Sequence, residues 1–192
     1  GHDWTVRTGN ADHLQGVTYG NGLYVAVGRN GMILTSPDAT TWTRRPSGTT
    51  AYLWKVAYGG GRFVVVGEAG TILTSVDGIA WSRAPSVTDL NLFGVAYGAG
   101  RFVAVASPVR YQSDNTGNAD CTYWSMSNQK TGGLVLTSTD GLSWTALAQP
   151  VIGPGCTARF ENGLFAITDA TWRDLYSTDG LTWSETNPNP VK

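Results

Sequence analysis

The sequence predicts an all-β fold, a β-propeller of four-stranded antiparallel blades, and three observations lead to it. A unit of short apolar runs recurs four times along the 192 residues. Each copy carries Ser-x-Asp-x-x-x-Trp at the same place in the unit. Asn-Gly and Asp-Gly pairs separate the runs, and such pairs accept the positive φ of tight hairpin turns.

The first run is Gly16-Val17-Thr18-Tyr19-Gly20, which returns as Lys55-Val56-Ala57-Tyr58-Gly59 and Gly94-Val95-Ala96-Tyr97-Gly98. Thr157-Ala158-Arg159-Phe160-Glu161 is a degenerate copy. The second run starts at Leu23, Arg62, Arg101 and Leu164 and is apolar at successive positions, as suits a strand covered on both faces. The third run ends at Ser36, Ser75, Ser138 and Ser177, and the fourth follows Trp42, Trp81, Trp144 and Trp183. Those tryptophans are 39, 63 and 39 residues apart, so the middle interval holds one period and a 24-residue insertion. Repeats of about 40 residues with four strands each are the signature of propeller blades.

The chain therefore reads as a single domain over 1–192. Its blades span 13–46, 52–85, 92–148 and 155–187, with the insertion at 107–132 of the third. Residues 3–9, with Trp4, read as an orphan fourth strand of a preceding unit. Four blades can close a small ring. Alternatively, self-association or missing blades complete a larger one, because an open propeller leaves apolar blade faces in water.

Composition excludes several functions. A net charge of −1 gives no basic stripe for nucleic acid. No apolar stretch is long enough for a membrane span. With only His2 and His13 as histidines and Cys121 and Cys156 as cysteines, no metal site is expected. The run from Asp114 to Asp120 has oxygens suited to calcium but matches no defined calcium loop, so no cofactor is assigned.

The four motifs Ser36/Asp38/Trp42, Ser75/Asp77/Trp81, Ser138/Asp140/Trp144 and Ser177/Asp179/Trp183 resemble the Asp-box of BNR/sialidase-like repeat proteins. In such a box the aspartate accepts N–H groups of its own turn, the serine adds another bond, and the tryptophan packs beneath. These twelve residues are thus expected to be structural. Ala39, in place of glycine in the first box, predicts a turn of another type. The resemblance covers nearly the whole chain but does not extend to sialidase chemistry. The family's enzymes need a three-arginine cluster, a tyrosine–glutamate pair and an acidic proton donor and usually carry a Phe/Tyr-Arg-Ile-Pro motif; that motif is missing, and Arg62 and Arg101 simply follow the repeat.

In an up-and-down blade, with strands labelled A to D, the B–C and D–A connections share one face and the A–B and C–D turns share the other. The Ser-x-Asp turns lie on the C–D side. The face opposite carries longer connections, 45–52, 84–91 and 147–155, which read as variable loops suited to function. It also carries the insertion, whose Arg110, Tyr111, Tyr123 and Trp124 form either an aromatic platform with polar edges or part of a loop that covers the propeller with Trp124 as its own small core. At the entrance of the innermost strands stand Gln15, Trp54, Phe93 and Cys156, where Trp54 and Phe93 either receive a ligand or plug the channel. Cys121 and Cys156 fall on this same side. They are two buried thiols or one disulfide, and a disulfide pinning the insertion is the expectation.

The function expected is a non-catalytic binding module for a glycan or a surface protein, acting through the loop-rich face and the insertion. Composition and the proposed disulfide place it outside the cell or in the periplasm. A fragment of a sialidase- or xyloglucanase-like glycoside hydrolase and a protein-assembly scaffold are the rival readings. Asp89, Asp114, Asp120, Asp169 and Asp174 offer no carboxylate pair whose spacing indicates catalysis.

Overall fold

The computed structural model describes residues 13–107, 132–148, 155–169 and 173–188. The expected orphan strand and the body of the insertion, with Arg110, Tyr111, the Asp114–Asp120 run, Cys121, Tyr123 and Trp124, lie outside the described residues.

The described residues form four antiparallel sheets and no helix. The first contains β1 (Leu14–Gly20), β2 (Leu23–Gly28), β3 (Met32–Ser36) and β4 (Thr43–Arg45), hydrogen-bonded in that order. The second contains β5 (Leu53–Gly59), β6 (Arg62–Gly67), β7 (Ile72–Ser75) and β8 (Ser82–Arg83). The third contains β9 (Asn91–Gly98), β10 (Arg101–Ser107), β11 (Leu134–Ser138) and β12 (Thr145–Ala146). The fourth contains β13 (Gly155–Glu161), β14 (Leu164–Asp169) and β15 (Asp174–Ser177). Its fourth strand shrinks to one bridge between Tyr176 and Ser184.

The innermost strands stand side by side in the order β1, β5, β9, β13, and no comparable packing joins β13 back to β1. The architecture is a partial β-propeller.

Side-chain alternation decides how the blades stack, since successive residues of a strand point to opposite faces. Along β6, Phe63 and Val65 face the first blade while Val64 and Val66 face the third. Three apolar seams result. Val25, Val27 and Ile33 meet Leu53, Val56, Phe63, Val65 and Leu73 in the first. Val64, Val66 and Ile72 meet Leu92, Val95, Phe102 and Leu136 in the second. Val103, Val105 and Val135 meet Phe165, Ile167 and Leu175 in the third. Each blade thus has a leading face toward the blade before it and a trailing face toward the blade after it.

An aromatic residue on every leading face fixes the approach distance. Tyr58 lies on Gly20 so closely that a β-carbon there would meet its Cγ at 2.1 Å. Tyr97 covers Gly59 and Phe160 covers Gly98 in the same way. Only a residue with no side chain leaves room for the ring.

Candidate functional site

The two ends of the propeller are built differently. On the C–D side, Asp77 Oδ1 accepts the backbone N–H groups of Ile79 and Ala80 and the Ser75 hydroxyl, each within 2.9 Å. Asp38, Asp140 and Asp179 take the equivalent bonds in their own turns. These N–H donors favour the carboxylate, the more distant residue of each pair most, and hold all four carboxyls below their usual range, Asp179 at about 2. Trp81 and Trp144 donate their indole N–H to the Gly78 and Gly141 carbonyls. Ala39 corrects an expectation. It holds φ +58, close to the +73 of Gly78, so its turn keeps the shape of the others and bears the strain of a side chain in the left-handed region. Arg62 and Arg101 donate to Thr74 and Thr137 on the adjacent strand of their own blade.

The opposite end corrects a second expectation. The connections 45–52 and 84–91 are not variable: they are copies of one built loop. Ser47 Oγ donates to the Thr49 carbonyl and Thr49 Oγ1 accepts the Ala51 N–H, while Ser86, Thr88 and Leu90 repeat the pattern. Each loop docks on the preceding B–C turn, through Gly31 N–H to the Ala51 carbonyl and Gly70 N–H to the Leu90 carbonyl. Pro46 and Pro85 fix the loop starts, so the frame is rigid.

Within this frame lies the row Gln15, Trp54, Phe93 and Cys156. In all four innermost strands the pairing register skips these residues: Leu14 pairs with Gly28 and Gly16 with Val27, Leu53 with Gly67 and Lys55 with Val66. Leu92 and Gly94, and Gly155 and Thr157, flank the same break. Each is the extra residue of a β-bulge and leaves the ladder, and at Gln15, Trp54 and Phe93 this turns the side chain aside. Trp54 stacks on Phe93 at 4.5 Å and on Tyr52 at 5.5 Å, and all three rings are buried. Gln15 Nε2 donates to the Tyr52 hydroxyl at 2.7 Å, and the Arg29 guanidinium sits 5.5 Å over the Tyr52 ring. The Tyr52 N–H donates to the exposed Glu68 carboxylate at 3.3 Å. On the first of these loops an open depression of about 670 Å³ is lined by Asn30, Arg44, Arg45, Ser47, Thr49 and Thr50.

The structure thus brings Trp54 and Phe93 together. Arg110, Tyr111, Tyr123, Trp124 and Cys121 lie outside the described residues, as does the side chain of Cys156. Tyr52, Arg29 and Glu68 join the aromatic row without a sequence signal, because a bulge alters pairing without altering the repeat period. The carboxylates of the last blade are engaged: Asp169 pairs with Arg173, and Asp174 with Arg159 and the Tyr176 hydroxyl.

No family model and no curated protein matches this sequence. Solved structures do match in fold. YCF48 from Cyanidioschyzon merolae superimposes with a TM-score of 0.63 at 17% identity, covering 90% of this chain and 55% of that one. YCF48 bound to D1 peptide gives 0.64 and 18%, over 90% and 54%. A chain of the nidogen/laminin complex gives 0.65 and 14%, over 89% and 62%. An ancestral GH74 enzyme gives 0.60 and 11%, over 86% and 25%. This chain spans about half the length of the first of these, and at such identities the likeness is one of fold.

Proposed function

We propose that this chain is a non-catalytic binding module whose ligand is a segment of another protein, held on the face of the B–C turns and D–A loops. The observation that carries this reading is Arg29, Gln15 and the exposed Glu68 set around the buried Tyr52–Trp54–Phe93 stack, between two loops that share one hydrogen-bond pattern. Rigid loops avoid an ordering cost on binding, and an aromatic row with donors and acceptors of both charges suits a peptide chain. YCF48 bound to D1 peptide and the nidogen/laminin complex are precedents on this fold. Glycan recognition by Arg110, Tyr111, Tyr123 and Trp124 is the second reading, supported by their aromatic composition. An extracellular or periplasmic location with a Cys121–Cys156 disulfide belongs to the same proposal.

Parallel peptide and glycan arrays test it, with the parent chain beside Arg29→Glu, Glu68→Lys and Trp124→Ala. Peptide binding lost in the first two variants is the expected result. Binding only to glycans, lost in Trp124→Ala, moves the ligand to the insertion. Two blank arrays, or binding indifferent to all three changes, reject this face as the site.

A further inference from the structure

The leading face of the first blade is bare where every other leading face is covered. Val17 is 64% exposed, while its counterparts Val56 and Val95 are 5% and 4% exposed. Leu14 and Tyr19 are exposed, while Leu53 and Leu92 are fully buried and Tyr58 and Tyr97 are pressed on glycines. Trp42 is 37% exposed against 6% for Trp144. Leu14, Gly16, Val17, Ala26 and Trp42 line an open, largely apolar depression of about 390 Å³ on it. The residue types are those that make the three internal seams, so the face is built to be covered.

The other end of the row is the reverse. On the trailing face of the fourth blade, Arg159 replaces Ala57 and Ala96, Asp174 replaces Ile72 and Val135, and Glu161 replaces the receiving glycines Gly59 and Gly98. Arg159 donates to Thr168 and Asp174, and Tyr176 donates to Asp174, so these polar groups satisfy one another without a neighbouring blade. That is how a terminal repeat is capped.

We infer that the leading face of the first blade is a docking surface for one further blade of this same repeat, presenting its trailing face with a glycine beneath Tyr19. The internal seams identify the occupant, since each seats the same leading-face residues on such a surface. A second specification comes from Ala39. Its counterparts Gly78, Gly141 and Gly180 would each place a β-carbon within 2.8 Å of an aliphatic side chain on the preceding blade, in the last two cases Val64 and Val103. The occupant therefore carries a residue smaller than valine at that point. The fourth blade meets this with Ala166 but opposes Tyr19, Leu14 and Val17 with Glu161, Arg159 and Asp174, so it is not the occupant.

The test is a chain with residues 52–90 duplicated between Asp12 and His13, the inserted copy carrying Val64→Ala. Hydroxyl-radical footprinting with mass spectrometry reads Tyr19, Val17 and Trp42 in this chain and in the parent. Several-fold slower modification of all three is expected, with the rate at Trp144 unchanged as the control for folding. Adding Gly59→Glu to the inserted copy alone should restore the parent's rates. Unchanged rates in the duplicated chain overturn the proposal. So does a parent chain that is already protected and sediments as a dimer, which would make a second copy the occupant.

Discussion

Gly141 lies against the side chain of Val64 on the blade before it. A β-carbon at Gly141 would sit 2.8 Å from Val64 Cγ2 and 3.0 Å from Arg62 Cδ, and the residue holds φ +71. Gly141→Ala therefore both overpacks the seam and strains the backbone, and should destabilise the fold by about 1–3 kcal/mol. Ala39→Gly, at the same place in the first blade, removes only strain and should be neutral or stabilising by up to about 1 kcal/mol. Denaturant titration followed by tryptophan fluorescence reads both changes, and equal effects at the two positions would contradict the seam geometry.

The tryptophans of the repeat are equivalent in sequence but not in surroundings. Trp144 lies in the seam against Phe102 and donates to the Gly141 carbonyl, whereas Trp42 is partly exposed. Trp144→Ala should cost about 3–5 kcal/mol, and Trp42→Ala roughly 1 kcal/mol or less. Thermal unfolding of the two variants checks the ranking.

The four Ser-x-Asp turns make the fold sensitive to acid. Their carboxyls sit below the ordinary value of 3.8 in the folded chain, Asp179 at about 2, because backbone N–H groups favour the charged form. A group with a depressed folded pKa stabilises fully above its unfolded value and loses that contribution as pH falls through the folded one. Melting temperature should be nearly level from pH 7 to about 5 and fall steeply from about 4 to 2. Asp77→Asn should lower it at pH 7 and shrink the acid-induced drop. A drop of unchanged size in that variant would remove Asp77 from the cause.

Fold class was legible because the repeat writes the blade pattern four times. Equivalent residues such as Val56 and Val95 do the same work in successive seams, and their period survives in the sequence. The site was legible in part. Trp54 and Phe93 stood out as aromatic departures at one repeat position, but the bulge that sets them aside is a property of pairing. Tyr52 precedes its strand, and its contacts with Gln15 and Glu68 link residues far apart in the chain. The loops 45–52 and 84–91 looked variable because Gly48 and Thr50 differ from Val87 and Asp89. The serine and threonine that form their bonds are the same. Asp169, Arg173 and Asp174 were visible as a break in the repeat, and its sense emerged only when Arg159, Thr168 and Tyr176 were found around Asp174.

The capped end of the row can be uncapped by restoring the repeat residues. Arg159→Ala, Glu161→Gly and Asp174→Ile together remove the polar network and give Tyr19 of another molecule a glycine to cover. Ala166 already leaves room there for the Ala39 methyl group. The leading face of one molecule would then fit the trailing face of the next, a head-to-tail contact that repeats unless the rotation closes. The triple variant should sediment as a concentration-dependent series of oligomers larger than the parent, and Tyr19→Glu added to it should return the parent's behaviour. If the triple variant keeps the parent's sedimentation while remaining folded by circular dichroism, then Arg159, Glu161 and Asp174 are not what keeps the fourth blade from accepting a neighbour.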